Sequence, residues 1–333
     1  MPYTVKEIGR VAGVSPATVS RVMNGSGNVT AEKREQVLAV IERLTGSRPA
    51  PRSGSRVSSI GVILPKDPGC DPRTVLQKLS VLAARMPHRW NLLLLPPDTL
   101  PAELESRRLR GELAGILLFG HAADSPELAA VLTRLPHIWL NSHRCGDSDR
   151  TTLMGNEFAG RIAARYLLEN RCRRCAVLSA PSDNPGFAGR ISGFRFELFA
   201  EAAPCTTIEL VLPQGENGFE SLSDPELELV LARAMPALKQ GAFDGIFSPE
   251  ERMTALLCRV FAKDPPPRRP RLISCNHTPE YFAGLFPRPA SIDLGPRMLA
   301  ELALRELMRR ISGEEPRADH VAVIVTPQLV PGE

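Results

Sequence analysis

Apolar positions recur along this chain at two different periods, and the change of period divides it. Over residues 4–45 the period is helical. Thr4 and Glu7 form a Thr-x-x-Glu capping box, and Ile8, Val11 and Ala12 follow at helical spacing. Ala12-Gly13-Val14 breaks this helix. Ser15-Pro16 opens the next, with serine as N-cap and proline at the first helical position, where its missing N–H costs nothing. Val19 and Val22 make its inward side, while Pro16, Ala17, Thr18, Ser20 and Arg21 make a small, polar outer side. Asn24-Gly25-Ser26-Gly27-Asn28 reads as a turn. Thr30 caps a third helix, with Glu32 near its positive end and Val37, Val40, Ile41 and Leu44 as its stripe.

From Val57 onward, continuous apolar runs alternate with amphipathic stretches. Residues 59–64, 91–95, 114–119 and 137–140 predict strands buried on both faces, with helices over 73–86, 101–110 and 125–134 between them. A second series predicts strands at 176–179, 208–212, 245–248 and 272–274 and helices near 156–170, 187–203, 224–239 and 250–263. Strands near 290–294 and 321–325 flank a helix near 296–312. Two successive βαβ series predict an α/β body of two doubly wound parallel lobes. The expected division is a helix-turn-helix domain at 1–46, a linker at 47–58 and a body at 59–333. Within the body, the first lobe is expected at about 59–155 plus 283–319, and the second at about 156–282 plus 320–333.

Charge sharpens the division. Residues 1–58 hold nine Lys/Arg against four Glu, a net +5, so the chain's +4 leaves −1 for residues 59–333. A basic module on a near-neutral body points to a polyanion, nucleic acid ahead of an anionic membrane. Two short helices joined by a tight turn and braced by a third make a helix-turn-helix, whose second helix suits the major groove. A composition of 43% hydrophobic and 23% charged residues excludes a disordered or fibrous chain. No apolar run reaches the ~18 residues of a membrane span, and the first residues, MPYTVKEIGR, carry no apolar core, so no secretory signal is expected. Seven cysteines without a regular framework read as reduced thiols in a cytoplasm.

The run Thr4-Val-Lys-Glu-Ile-Gly-Arg-Val-Ala-Gly-Val-Ser-Pro-Ala-Thr-Val-Ser-Arg-Val-Met-Asn24-Gly resembles the N-terminal signature of the LacI/GalR family of bacterial transcriptional regulators. The resemblance implies that Pro16 and Ala17 read base edges and that Arg21 is a bidentate donor to guanine. Thr4, Ser15, Thr18, Ser20 and Asn24 would serve phosphates or caps. The segment Leu44–Val57 departs from the family pattern. It is shorter, carries two Pro and two Gly that oppose a hinge helix, and has no leucine to wedge into a minor groove. Arg48, Arg52 and Arg56 are expected to line phosphate backbone or minor groove instead.

The resemblance continues through Asn156–Phe194, with Arg190-Ile-Ser-Gly-Phe194, and through Pro289–Asp293, Gly295 and Val323–Val330. It implies a periplasmic-binding-protein-like effector body, its lobes connected by about three crossovers, with a small ligand in the cleft. The implied ligand set is Arg190, Glu250 of Pro249-Glu250-Glu251, Asn276 of Ser274-Cys-Asn-His277, and Asn141. That set suits a sugar or polyol, a small neutral polyhydroxylated solute. Cys172-x-x-Cys175 lacks a second ligand pair, so no metal is expected, and neither is a cofactor. No Gly-x-Ser-x-Gly, Walker A or His-Glu-x-x-His motif supports an enzyme. The expectation is a ligand-responsive repressor that binds a pseudo-palindromic operator as a homodimer. Two alternatives are a DNA-binding regulator without small-molecule control and a cytoplasmic solute-binding protein.

Overall fold

The computed structural model of the protein describes residues 3–24, 29–45, 58–64, 72–88, 90–96, 98–120, 126–141, 151–182, 184–314 and 323–333. Helices α1 (Val5–Val11), α2 (Pro16–Asn24) and α3 (Ala31–Thr45) form the N-terminal module. The Thr4–Glu7 capping box is present, and Gly13 (φ +62°) turns the chain between α1 and α2 in a conformation that favours glycine. Thr18 N–H donates to Ser15 Oγ (3.1 Å), which seats the serine as N-cap of α2. Ile8, Ala12, Val19, Val22, Val37, Leu38, Val40 and Ile41 close a core of their own. The turn at 25–28, the side chain of Asn24, and residues 46–57 with Arg48, Arg52 and Arg56 lie outside the described residues.

The body contains two parallel sheets. The first is ordered β11 (Val323–Val325), β5 (Thr151–Met154), β4 (His137–Leu140), β3 (Leu113–Phe119), β1 (Ser58–Ile63), β2 (Trp90–Leu95). Helices α4 (Pro72–Arg85), α5 (Pro101–Leu109), α6 (Pro126–Leu132) and α11 (Pro296–Ile311) cover it. Its strands bury both faces: Ile60, Val62, Leu117 and Phe119 enter one core, whereas Ile63, Ile116 and Leu118 enter another. The second sheet is ordered β7 (Cys205–Glu209), β6 (Cys175–Ser179), β8 (Gly245–Phe247), β9 (Arg271–Ile273). Helices α7 (Asn156–Glu169), α8 (Pro185–Ala200), α9 (Asp224–Gly241) and α10 (Glu251–Lys263) belong to this lobe.

The lobe boundaries need correction at the C-terminal end. β10 (Ser291–Asp293), expected in the first lobe with 283–319, continues the second sheet through a parallel bridge between Ile273 and Ala290. It then pairs antiparallel with β12 (Gln328–Val330). β11, expected in the second lobe with 320–333, pairs parallel with β5 of the first. The reason is α11: it packs on α4, β3, β4 and β5, so the strand that follows it is delivered to the edge beside β5. Crossings therefore lie at 154–156, 293–296 and 325–328. They touch one another, since Gly155 N–H donates to Val325 O (3.1 Å). The strand expected at 208–212 lies earlier, because β7 is held in register from Cys175–Cys205 to Ser179–Glu209. β5 and β12 escape the sequence pattern because they are short and not uniformly apolar.

Candidate functional site

The first candidate surface is the outer face of α2. Val19 and Val22 are buried against α1 and α3, which turns Pro16, Ala17 and Arg21 outward. Thr18 and Ser20 are half-buried between these faces. Thr4 and Ser15 are committed to caps: Thr4 Oγ1 donates to Glu7 Oε2 (2.8 Å), and Ser15 Oγ contacts Thr18 Oγ1 (2.8 Å). A short helix with small residues at its start and one exposed arginine a turn later can enter a groove closely and present a fork to a base edge.

The second site is a cavity of about 520 Å³ between the lobes, at the C-terminal ends of the strands. Asn141, Arg190, Glu250 and Asn276 all line it. Arg190 reaches it because α7 and α8 pack unusually closely. A Cβ on Gly160 would stand 2.0 Å from Arg190 O, and one on Gly193 would stand 2.0 Å from Glu157 O, so only glycine allows the contact. The buried guanidinium donates from Nε to Asn156 Oδ1 (3.0 Å) and from Nη1 to Pro249 O (2.7 Å). These two bonds fix the plane of the fork, and its other N–H groups take no acceptor among the described residues. Burial pushes the Arg190 pKa down from its usual value, offset by Cys275 and by Glu250, Glu251 and Glu220 nearby.

Glu250 has a further role that its position in the sequence did not reveal. It is the N-cap of α10, and its Oε2 accepts from Met253 N–H (3.0 Å). The carboxylate beside Arg190 is thus partly committed to a helix end. Asn141 (φ +64°) accepts from Met154 N–H through Oδ1 (3.1 Å), tying β4 to β5 at the cavity wall. Asn276 (φ +108°) and His277 (φ +52°) hold consecutive left-handed conformations in the loop after β9.

Several functional groups were missed. Glu251 is buried and binds this loop: its carboxylate accepts from Thr278 N–H and Ser291 Oγ, and Ser291 Oγ in turn accepts from His277 N–H (3.2 Å). Burial raises its pKa to about 7 against the pull of those donors, with Glu250 adding repulsion. Lys78 is buried and lines the cavity from α4, its Nζ 5.4 Å from the Phe119 ring centroid. A lysine in register with the apolar positions Val75, Leu79 and Leu82 was the legible signal for it. Arg73 of the first lobe lies 4.1 Å from the ring centroid of Tyr281 of the second, bridging the cavity mouth by a cation–π contact. The Cys172 and Cys175 thiols are buried, and burial raises both, Cys175 to about 12, so both are held protonated.

Residues 4–45 match the family model described as bacterial regulatory proteins, lacI family. The chain carries a lacI-family helix-turn-helix domain. Among related sequences, it is 27% identical over 186 residues to catabolite control protein A of Staphylococcus epidermidis, covering 54% of this chain. That match spans 56% of the relative's length. Solved structures at lower identity share the fold of this chain. A transcriptional regulator CelR–cellobiose complex shares 20% identity over 99% of both chains, with a TM-score of 0.59. The lac repressor dimer bound to operator and the anti-inducer ONPF shares 17% identity over 100% of this chain and 98% of that one, with a TM-score of 0.62. A helix-turn-helix domain followed by a two-lobed α/β body is thus the architecture that this chain shares with these structures.

Proposed function

We propose that this protein is a cytoplasmic, sequence-specific transcriptional regulator, a repressor that binds a pseudo-palindromic operator as a homodimer, and not an enzyme. The observation that carries the reading is the lacI-family module at residues 4–45 with Arg21 exposed on the outer face of α2. Pro16, Ala17 and Arg21 are assigned to bases; Thr4, Ser15, Thr18, Ser20, Asn24, Arg48 and Arg52 are assigned to caps and phosphates. No helix among the described residues is long and apolar enough to cross a membrane. The test is selection of bound duplexes from a random pool, followed by titration of Arg21→Ala. Removing one bidentate guanine pairing costs about 1–3 kcal/mol of discrimination. A variant that still prefers the selected duplex over a scrambled one removes Arg21 as a reader.

The effector assigned to the cavity is a polyhydroxylated, sugar-like solute held by Arg190, Asn276, Asn141 and Glu250. A second reading, an acidic sugar, is favoured by the charge of the wall. Arg73, Lys78, Arg190 and Arg252 line it against Glu220 and Glu250, and Glu250 is partly engaged at α10. A thermal-shift series of neutral sugars, polyols, sugar acids and sugar phosphates decides between them, since a ligand at a hundredfold excess over Kd stabilises by about 2.7 kcal/mol.

A further inference from the structure

We propose that the pole of the second lobe opposite the cavity is a second docking surface for duplex DNA, formed by Arg171, Arg173, Arg174, Arg268, Arg269 and Arg271. The proposal rests on the protein being a DNA-binding regulator. Parallel register brings these residues together: Cys175 pairs with Gly245, and Gly245 with Arg271. Residues 171–174 and 268–271 therefore flank the same, N-terminal end of one sheet, whereas the cavity lies at the other end. Arg268 and Arg271 both lie within electrostatic reach of Cys172, which joins the two segments into one patch.

All six arginines are exposed, and none forms an ion pair with a carboxylate among the described residues. Arg195, Arg233, Arg259 and Arg297 are likewise exposed without an ion pair among the described residues, but they do not cluster with one another in sequence as these six do. Arg107, Arg108, Arg110, Arg252, Arg305, Arg309 and Arg310 each hold a glutamate or aspartate. The nearby carboxylate, Asp244, accepts the backbone N–H groups of Arg173 (2.9 Å) and Arg174 (2.8 Å), and so is engaged by main chain while the guanidinium groups face solvent. Since residues 59–333 sum to −1, six cations on one face are a strong local excess. Pro265, Pro266, Pro267 and Pro270 stiffen the loop that presents Arg268 and Arg269, which lowers the entropy cost of docking.

Guanidinium forks match phosphate oxygens bidentately, and unpaired ones give up no ion pair to do so. The first sheet starts at Ser58, where the linker from the helix-turn-helix arrives. With both sheets turning their C-terminal strand ends to one cavity, their N-terminal ends lie at opposite poles. DNA on the arginine pole is then a different segment from the one under α2, and its local concentration is raised once the helix-turn-helix has bound nearby.

The test is the full chain against the variant Arg173→Gln/Arg174→Gln/Arg268→Gln/Arg269→Gln, whose melting temperature should match wild type because no side-chain partner is removed. A labelled duplex of random sequence is titrated by anisotropy over a salt series. The variant is expected to bind more weakly, with the slope of log K on log salt shallower by about 0.9 for each phosphate it no longer neutralises. A variant with wild-type affinity and slope overturns the proposal. If wild type binds the selected operator and the variant is unchanged on every duplex, this proposal alone fails. Wild type that binds no duplex overturns both it and the regulator reading. Capture of labelled polyglutamate by wild type but not by the variant, with duplex affinity unchanged, overturns it in favour of an acidic protein partner.

Discussion

Arg190 and Glu251 show how two buried charges divide the work at the cleft. Arg190→Met keeps the volume but orphans Asn156 Oδ1 and Pro249 O, two buried acceptors worth about 1–3 kcal/mol. The expected outcome is a folded protein with a modestly lower urea midpoint and no thermal shift from any sugar-like effector. A retained shift would remove Arg190 from the binding set. Glu251 predicts a pH dependence with a definite sign. Its carboxyl is near 4.5 when unfolded and is raised to about 7 when folded, so the native state binds more protons across that window. This contribution to stability is complete below about pH 4.5 and is lost as pH rises through about 7. Melting curves across the window should show it in wild type and not in Glu251→Gln. Identical pH slopes would contradict the assignment. The family resemblance pointed to Arg190 through the Arg190–Phe194 stretch and to Glu250 through its place after the strand at 245–248. The sequence did not display that Glu250 caps α10 while Glu251 turns inward, because adjacent identical residues differ only in the side of the helix they face.

At the scale of elements, the contact of α7 with α8 aims the cleft. Gly193 faces the backbone of Glu157 three residues after Arg190, so Gly193→Ala must part the helices. A loss toward the upper end of about 1–3 kcal/mol is expected in urea unfolding, together with weaker effector binding as Arg190 withdraws. Wild-type stability in this variant would mean that the helices are free to separate without cost. In the N-terminal module, Val19→Ala empties a fully buried position of a small core and is expected to unfold α1–α3 before the body. Loss of DNA binding with the main melting transition unchanged is the signature. Capping boxes, Ser-Pro starts and helical stripes made all three helices legible, because those signals act over a single turn. β5 and β12 were not legible, because a strand of a few residues owes its existence to the neighbour that supplies its hydrogen bonds.

For the whole molecule, self-association is expected to reside in the body. Leu76, Leu94, Leu100 and Leu109 of the first lobe and Phe158, Phe196 and Phe199 of the second are exposed, whereas the large exposed apolar residues of the N-terminal module are Tyr3, Val5 and Val11. A fragment beginning at Ser58 should sediment as a dimer at micromolar concentration, and a strict monomer there contradicts the assignment. By itself the sequence determined the helix-turn-helix, its basic charge, the alternation of strands and helices, and the four polar residues that meet at the cavity. The first three follow from local propensity, period and motif, which need no knowledge of distant chain, and the four polar residues follow from the family resemblance. Only the tertiary structure decided that β11 closes the first sheet and β10 and β12 extend the second. It alone brought Lys78 and Arg73 into the cavity wall and gathered the arginines of 171–174 and 268–271 at one pole. Strand partnership and charge clustering depend on which sheet edge a crossover reaches, and that is set by helix packing across the whole body.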